Sequence, residues 1–226
     1  MITITVWRTD VFRLESTSQQ ERVLREVGDA TARLINAENF RRRRLFFENG
    51  TIDCSHKSAW RLRKTQYQDI YQLLGSANFE QVCRSVAEEW KSFKGLLRAK
   101  KQGRLMPWQK PRPPGYSKKD GKRIPIIIVR CDQYEIDLAR KVLRICFGTR
   151  NRRVTLDIPF RGKPRWLPRS TKKGRLVIKY SITKRKWYVH VACSVPLTAK
   201  RQELVAAGVD LGQKIIAAVA IQDGVA

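Results

Sequence analysis

The stretch that most limits what this chain can become runs from Glu203 to Gly224, E-L-V-A-A-G-V-D-L-G-Q-K-I-I-A-A-V-A-I-Q-D-G. Leu204, Val205 and the small residues behind them form an apolar run that ends on one carboxylate, Asp210. Leu211-Gly212 turns the chain, and a second apolar run, Ile215 to Ile221, closes at Asp223-Gly224. Two runs of this length around a turn predict a buried hairpin. A carboxylate at the end of such a strand is costly to desolvate unless a cation or hydrogen-bond donors meet it. Asp210 is therefore a candidate ligand for a hard cation such as magnesium. The plainer alternative is an Asp that ends a strand by accepting backbone hydrogen bonds.

Charge indicates the partner. With 47 Lys and Arg against 20 Asp and Glu, the 226 residues carry a formal net charge of +27. Charge of that size self-repels and is most simply explained by a polyanion. Nucleic acid leads, with an anionic membrane as the alternative. No apolar run approaches a bilayer span and no signal peptide opens the sequence, so no membrane role is expected. An apolar content of 42% supports a folded core, or two smaller ones. The five cysteines, Cys54, Cys83, Cys131, Cys146 and Cys193, are odd in number, contain no C-x-x-C and do not cluster with His56 or His190. They predict neither a zinc site nor a disulfide framework, which suits a reducing cytoplasm.

From the first residue, Ile2, Ile4 and Val6 alternate with Thr3 and Thr5, and Phe12 and Leu14 continue an extended strand that needs a partner elsewhere. Ser18 with Glu21 reads as a capping box, opening a helix that runs through Val23, Leu24, Val27, Leu34 and Ile35 to Phe47 and stops at Asn49-Gly50. It carries Arg41, Arg42, Arg43 and Arg44, four cations spread round the helix. They are candidate phosphate contacts, or a solvated end stabilised by the macrodipole. A second helix is expected from Ser55 to Leu74 with Gly75 as its stop. Ser76 caps a third, whose Phe79, Val82, Cys83, Val86, Trp90, Phe93 and Leu97 form an amphipathic stripe read as core. Residues 16 to 103 thus predict a three-helix unit inserted after one strand.

Between Arg98 and Arg130 stand eleven Lys/Arg and one acidic residue, with Pro107, Pro111, Pro113 and Pro114 stiffening the segment. The run K-P-R-P-P-G-Y-S-K-K, including Lys110, Arg112, Lys118 and Lys119, predicts a loop along phosphates, the alternative being a solvated linker. Short alternating runs follow at Ile124–Val129, Tyr134–Leu138, Val142–Phe147, Val154–Phe160, Leu176–Ile182 and Trp187–Val195. They predict an antiparallel sheet or small barrel. Residues 140 to 187 hold seventeen Lys/Arg against Asp157 alone. Arg150, Arg152, Arg153, Arg161, Lys163, Arg165, Lys172 and Lys173 are expected at turns, as an electrostatic rim for a folded or duplex nucleic acid. Trp166 in that rim either stacks on a base or packs. No RNP-type aromatic motif is present, so an ordinary RRM is not expected.

The initial strand, a helical insertion with an aromatic third helix, the K-P-R segment, the barrel ending in K-W-Y-V-H-V-A-C-S-V-P and then A-A-G-V-D-L-G stand in an order that resembles TnpB proteins of insertion sequences, relatives of type V CRISPR effectors. The last motif resembles the opening of a RuvC-like nuclease. It also resembles the opening of the actin/Hsp70 ATPase fold, where it usually starts the domain instead of following a basic barrel. The TnpB resemblance implies an α+β chain. Its small antiparallel β-barrel (the wedge, 1–15 and 104–197) would take a helical recognition lobe (16–103) as an insertion. The first hairpin of an RNase H/RuvC-like domain (203–226) would follow. It further implies a guide RNA and target DNA as partners, transposition-associated RNA-guided cleavage, and reading of a target-adjacent motif at His56, Ser76, Asn78 and Glu80.

The departure lies in the carboxylates. RuvC-like cleavage in the family uses an Asp, a Glu and a second Asp around two magnesium ions, together with a Cys-based zinc ribbon. Here sixteen residues follow Asp210, and Asp223 reads as the hairpin's turn. One carboxylate does not hold two magnesium ions in catalytic geometry. The expectation is a chain unable to cleave alone, completed by a second chain or a missing C-terminal part, whether it is a split subunit, a truncated product or an artificial piece. The competing expectations are a non-catalytic RNA/DNA-binding module that has lost cleavage and, on charge alone, a ribosome-associated basic protein, which leaves the hairpin unexplained.

Overall fold

The computed structural model describes residues 3–119, 122–198, 207–210 and 218–221. The first strand, β1 (Thr3–Leu14), is followed by a long helix, α1 (Ser18–Asn49), about 48 Å at helical rise. Its cap sits one residue earlier than the sequence suggested. Thr17 Oγ1 accepts from Gln20 N–H at 3.3 Å and Gln20 Oε1 accepts from Thr17 N–H at 3.0 Å. The reciprocal partner is thus Gln20, and Ser18 is already helical. Gly50, in the left-handed conformation, ends α1 as its position required.

The expected second helix is two pieces. Ser55 caps a short α2 (His56–Arg61), a tight turn covers Leu62–Lys64, and α3 (Gln68–Lys101) follows. α3 is itself broken at Gly75, whose φ of 77° and ψ of 163° leave the helix. Beyond the break the aromatic stripe packs as read: Phe79, Val82, Cys83, Val86, Trp90 and Phe93 are buried. The Trp90 indole stands edge-on to Phe93 at 5.8 Å, and Phe46 of α1 meets Phe93 at 5.3 Å.

After an irregular segment come the two-residue strands β2 (Lys118–Lys119) and β3 (Lys122–Arg123). Then follow β4 (Ile126–Val129), β5 (Tyr134–Asp137), β6 (Val142–Phe147), β7 (Val154–Arg161), β8 (Lys172–Ser181) and β9 (Lys186–Thr198). Every pairing is antiparallel, in the order β4-β8-β9-β1-β7-β6-β5. The edge strands β4 and β5 do not pair with each other, so of the antiparallel sheet or small barrel expected, the structure forms a curled half-barrel. β1 finds its partner chiefly in β9, from Thr3↔Thr198 to Arg13↔Tyr188. Its even positions explain the alternation: Phe12 and Leu14 face the interior with Leu143, Ile158, Phe160, Ile178, Trp187 and Val191.

The helices are not a separate body. The same hydrophobic core runs from Leu24, Val27 and Leu34 of α1 through Ile127 and Ile128 of β4 to Phe147 of β6. Within the stretch expected to form the final hairpin, β10 (Ala207–Asp210) pairs antiparallel with β11 (Ala218–Ile221). Its turn, its flanks and Asp223 lie outside the described residues.

Candidate nucleic-acid interface

Two groups of exposed cations stand at the ends of β7, a strand of eight residues spanning roughly 25 Å that holds them apart. At one end, the β6–β7 connection carries Arg150, Arg152 and Arg153, all exposed. Its geometry is set by two glycines in contact. A Cβ on Gly75 would stand 2.3 Å from Gly148 O, and Thr149 N–H donates to Gln72 O at 3.2 Å. The break in α3 and the arginine turn are therefore one construction, and Ser76 lies exposed beside it.

At the other end, Arg161 is not in a turn but closes β7 opposite Arg13, and the loop after it carries Lys163 and Arg165. A carboxylate the sequence reading passed over fixes it: Asp10, 4% exposed, accepts from the backbone N–H groups of Arg165, Trp166 and Leu167 at 2.8 to 3.2 Å. Three donors satisfy a charge that burial would otherwise make costly. The signal was its phase, since Asp10 is even-numbered like Phe12 and Leu14 and so had to face inward. Trp166 is half-buried, with Arg165 and Arg8 guanidinium groups 4.6 and 5.7 Å from its ring. Trp166 thus packs in part against the core. Lys172 and Lys173 are not in a turn but begin β8, both exposed.

Arg150, Arg152, Arg153, Lys163, Arg165, Lys172 and Lys173, with Lys110, Arg112 and Lys118 of the irregular segment, make no ion pair among the described residues, whereas Arg161 approaches Glu15 at 3.7 Å. The side chain of Lys119 lies outside the described residues. Cations left without carboxylates attract polyanions most strongly, because nothing within the fold competes for them.

The four-arginine run behaves differently. Arg42 has no exposed surface. It donates to Glu38 Oε2 at 3.3 Å, to Ser55 O at 2.9 Å and to Asp53 O. Arg41 bridges Glu38 and Asp53, both at 2.8 Å, and Tyr67 Oη donates to Glu38 at 2.9 Å. Burial works to raise the Asp53 carboxyl, but hydrogen bonds from Ser55 N–H, Arg41 and Ser58 hold it below its ordinary 3.8. Arg43 donates to Pro113 and Pro114 carbonyls at 3.4 and 3.0 Å, and Arg44 pairs with Glu48 at 2.9 Å. The reading of Arg42 as a phosphate contact is corrected, because burial removes it from solvent, while Arg41 is half-buried and held by the carboxylates of Glu38 and Asp53.

Of the residues expected to read a target-adjacent motif, His56 and Glu80 come together. They line a cleft of about 410 Å³ with Lys57, Trp60, Arg61 and Arg84, four residues the sequence had not singled out. Ser55 capping α2 and the Arg42 bonds to its carbonyl hold His56 there. Glu80 accepts from Arg84 at 2.7 Å and from Arg130 at 3.5 Å, which offsets its charge beside a polyanion. Asn78 is a correction. It is 2% exposed, its amide donates to Leu74 O and Cys146 O at 3.2 and 3.0 Å, and its oxygen accepts from Arg130 N–H at 3.1 Å. No polar atom of Asn78 is left for a base.

Asp210 closes β10 opposite Ala218, and the side chains of this hairpin are not described. Among the described residues no three His, Cys, Asp or Glu side chains are grouped to hold a metal ion. A single carboxylate does not fit a two-magnesium centre. All five cysteines are unpaired thiols. Among the described residues, no helix is long and apolar enough to cross a membrane.

No protein-family model matches the chain. The TnpB-like protein ORF457 of Acidianus two-tailed virus is 33% identical over 239 aligned positions, covering 96% of this chain and 49% of the viral protein. Among solved structures, that of a CRISPR-Cas12f ternary complex aligns with a TM-score of 0.50 and 12% identity, over 92% of this chain and 47% of the other. At that identity the likeness is one of fold. A Cas12f1–sgRNA–target DNA complex aligns at 0.41 with 14% identity, over 98% of this chain and 55% of the other. The chain spans about half the length of the relatives it matches.

Proposed function

This chain belongs to the TnpB-like proteins, and from that premise we propose that it forms the guide-RNA-binding and target-DNA-binding portion of an RNA-guided DNA endonuclease. The half-barrel serves as the wedge and the helices as the recognition lobe, acting in a cytoplasm reducing enough to keep its cysteines as thiols. The observation that carries this reading is the set of exposed cations without carboxylate partners at both ends of β7, on a molecule of net charge +27. Loops stiffened by Asp10 and by the Gly75–Gly148 contact present those charges in a fixed pattern. Such a pattern suits the backbone geometry of a folded RNA or a heteroduplex, while base pairing supplies sequence. The cleft holding His56 and Glu80 offers an imidazole, an indole and guanidinium groups to the edge of a duplex beside the target. Magnesium bound at a completed RuvC-like site would supply the nucleophile and stabilise the leaving oxygen; the carboxylates beyond Asp210 come from outside these 226 residues.

The test is binding of structured RNA and duplex DNA to the purified chain across a salt series, followed by addition of magnesium. Tight RNA binding with a steep log–log salt dependence is expected, with no cleavage until a polypeptide carrying the missing carboxylates is added, and none then in Asp210→Ala. Absence of binding at low salt rejects the proposal. Cleavage by the chain alone rejects the dependence on outside carboxylates.

A further inference from the structure

Trp7 stands out in this sheet. It lies on the part of β1 that pairs with β9 alone, since β7 meets β1 only at Arg13 and Leu14, and its side chain is 59% exposed. Register places it. Trp7 opposes Ser194 of β9, which opposes Lys172 of β8, so the three share the outer face. The rows Val11–His190–Val177 and Arg13–Tyr188–Lys179 lie on that same face.

Beside Trp7, β8 bulges between Lys173 and Leu176. The bulge brings Gly174 against Ala192, and these two small residues make a low floor. A Cβ on Gly174 would stand 2.9 Å from Trp7 Cζ3 and 3.3 Å from the Ala192 methyl. The six-membered ring of the indole therefore rests an edge on Gly174 while much of its surface stays open. A bulge that re-aims a neighbouring side chain is a built feature, not a defect.

Charge on this face selects the occupant. Asp10 is the one carboxylate on the three strands, and it is buried on the opposite side. Lys172 and Lys179 stand in the outer rows without a carboxylate partner among the described residues, Arg13 pairs with Glu15 at 2.8 Å, and the Lys184 ammonium lies 5.7 Å from the Tyr188 ring. Burial first, and then the Lys179 charge, push the His190 imidazole below its ordinary value. Open aromatic surface interleaved with unopposed cations is the composition that holds single strands, because bases stack while phosphates pair.

We propose that the outer face of β8, β9 and β1 binds an unpaired stretch of nucleic acid, with Trp7 the platform for one base and Lys172, in the same row, meeting a phosphate. The inference rests on the nucleic-acid reading above and adds a single-strand site to the loop cations. The test uses the full chain and a short oligouridine carrying 5-iodouracil, irradiated and digested with trypsin. The peptide Met1–Arg8 has Trp7 as its sole aromatic residue, so an adduct there is unambiguous. Wild type is expected to give that adduct. Trp7→Ala is expected to bind oligouridine about tenfold more weakly, within the range for one stacked base. Trp7→Phe should retain most of the affinity, and paired RNA of equal phosphate number should bind all three alike. Adducts confined to other peptides, or oligouridine binding indifferent to position 7, overturns the platform while leaving the nucleic-acid reading intact. Failure to bind oligouridine and duplex alike overturns the reading beneath it.

Discussion

Arg41 and Arg42 share a sequence run but not an environment with Arg44, and side-chain direction makes the difference. Successive residues on a helix point about 100° apart, so a run of four must send at least one toward the neighbouring elements. Arg42 is that residue, and Glu38, one turn earlier, turns it from a liability into a clamp on the Asp53–Ser55 backbone. Its role is to seat the segment that carries His56. Replacing Arg42 by Met leaves Glu38 buried with fewer partners, which is expected to destabilise the fold by about 3–5 kcal/mol. Removing both charges, as in Glu38→Gln with Arg42→Met, should recover part of that loss. Urea denaturation of the two variants checks it: equal stability of wild type and Arg42→Met would show that the pair contributes nothing.

Elements here meet through backbone contacts that a side chain would forbid. Gly75 breaks α3 with a positive φ, and the same break lets the β6–β7 turn approach it, so the helical layer and the half-barrel are keyed at one point. A methyl at Gly75 meets both a conformational penalty and the Gly148 carbonyl. Gly75→Ala is therefore expected to cost about 2 kcal/mol or more. Gly95, in the same helix, has nothing within 4 Å of a built Cβ, and Gly95→Ala should be neutral or stabilising by up to about 1 kcal/mol. Thermal melts of the two variants give the comparison, and a Gly75→Ala protein as stable as wild type would remove the key.

For the molecule as a whole, charge pairing matters more than charge count. Arg144 and Asp157 face each other across β6 and β7 at 2.8 Å, whereas Arg150, Arg152 and Arg153 a few residues away have no such partner. Replacing those three by Gln should lower the slope of log affinity against log salt by about three units on duplex DNA, at roughly 0.9 per phosphate contact. Arg144→Gln should leave the slope nearly unchanged. An equal fall in both would mean that net charge, not placement, governs binding.

Binary pattern alone located the strands, because a half-buried sheet imposes its period of two on the sequence. β6 and β7 begin where alternation begins, whereas β8 extends beyond its apolar run into Lys172 and Lys173, and β9 beyond its own to Thr198. The helical stripe and the stop at Gly50 were legible for the same local reason, as was the order of segments that resembles the TnpB proteins. Which polar residues were buried was not legible. Arg42, Asn78 and Asp10 are each settled by groups 11 to 157 residues away in sequence. Nor did alternation show that the sheet stays open, since closure depends on whether β4 and β5 meet. Local chemistry determined the elements and the charge they carry; the fold decided which charges stay free, because only packing brings distant carboxylates and carbonyls to some cations and leaves others facing water.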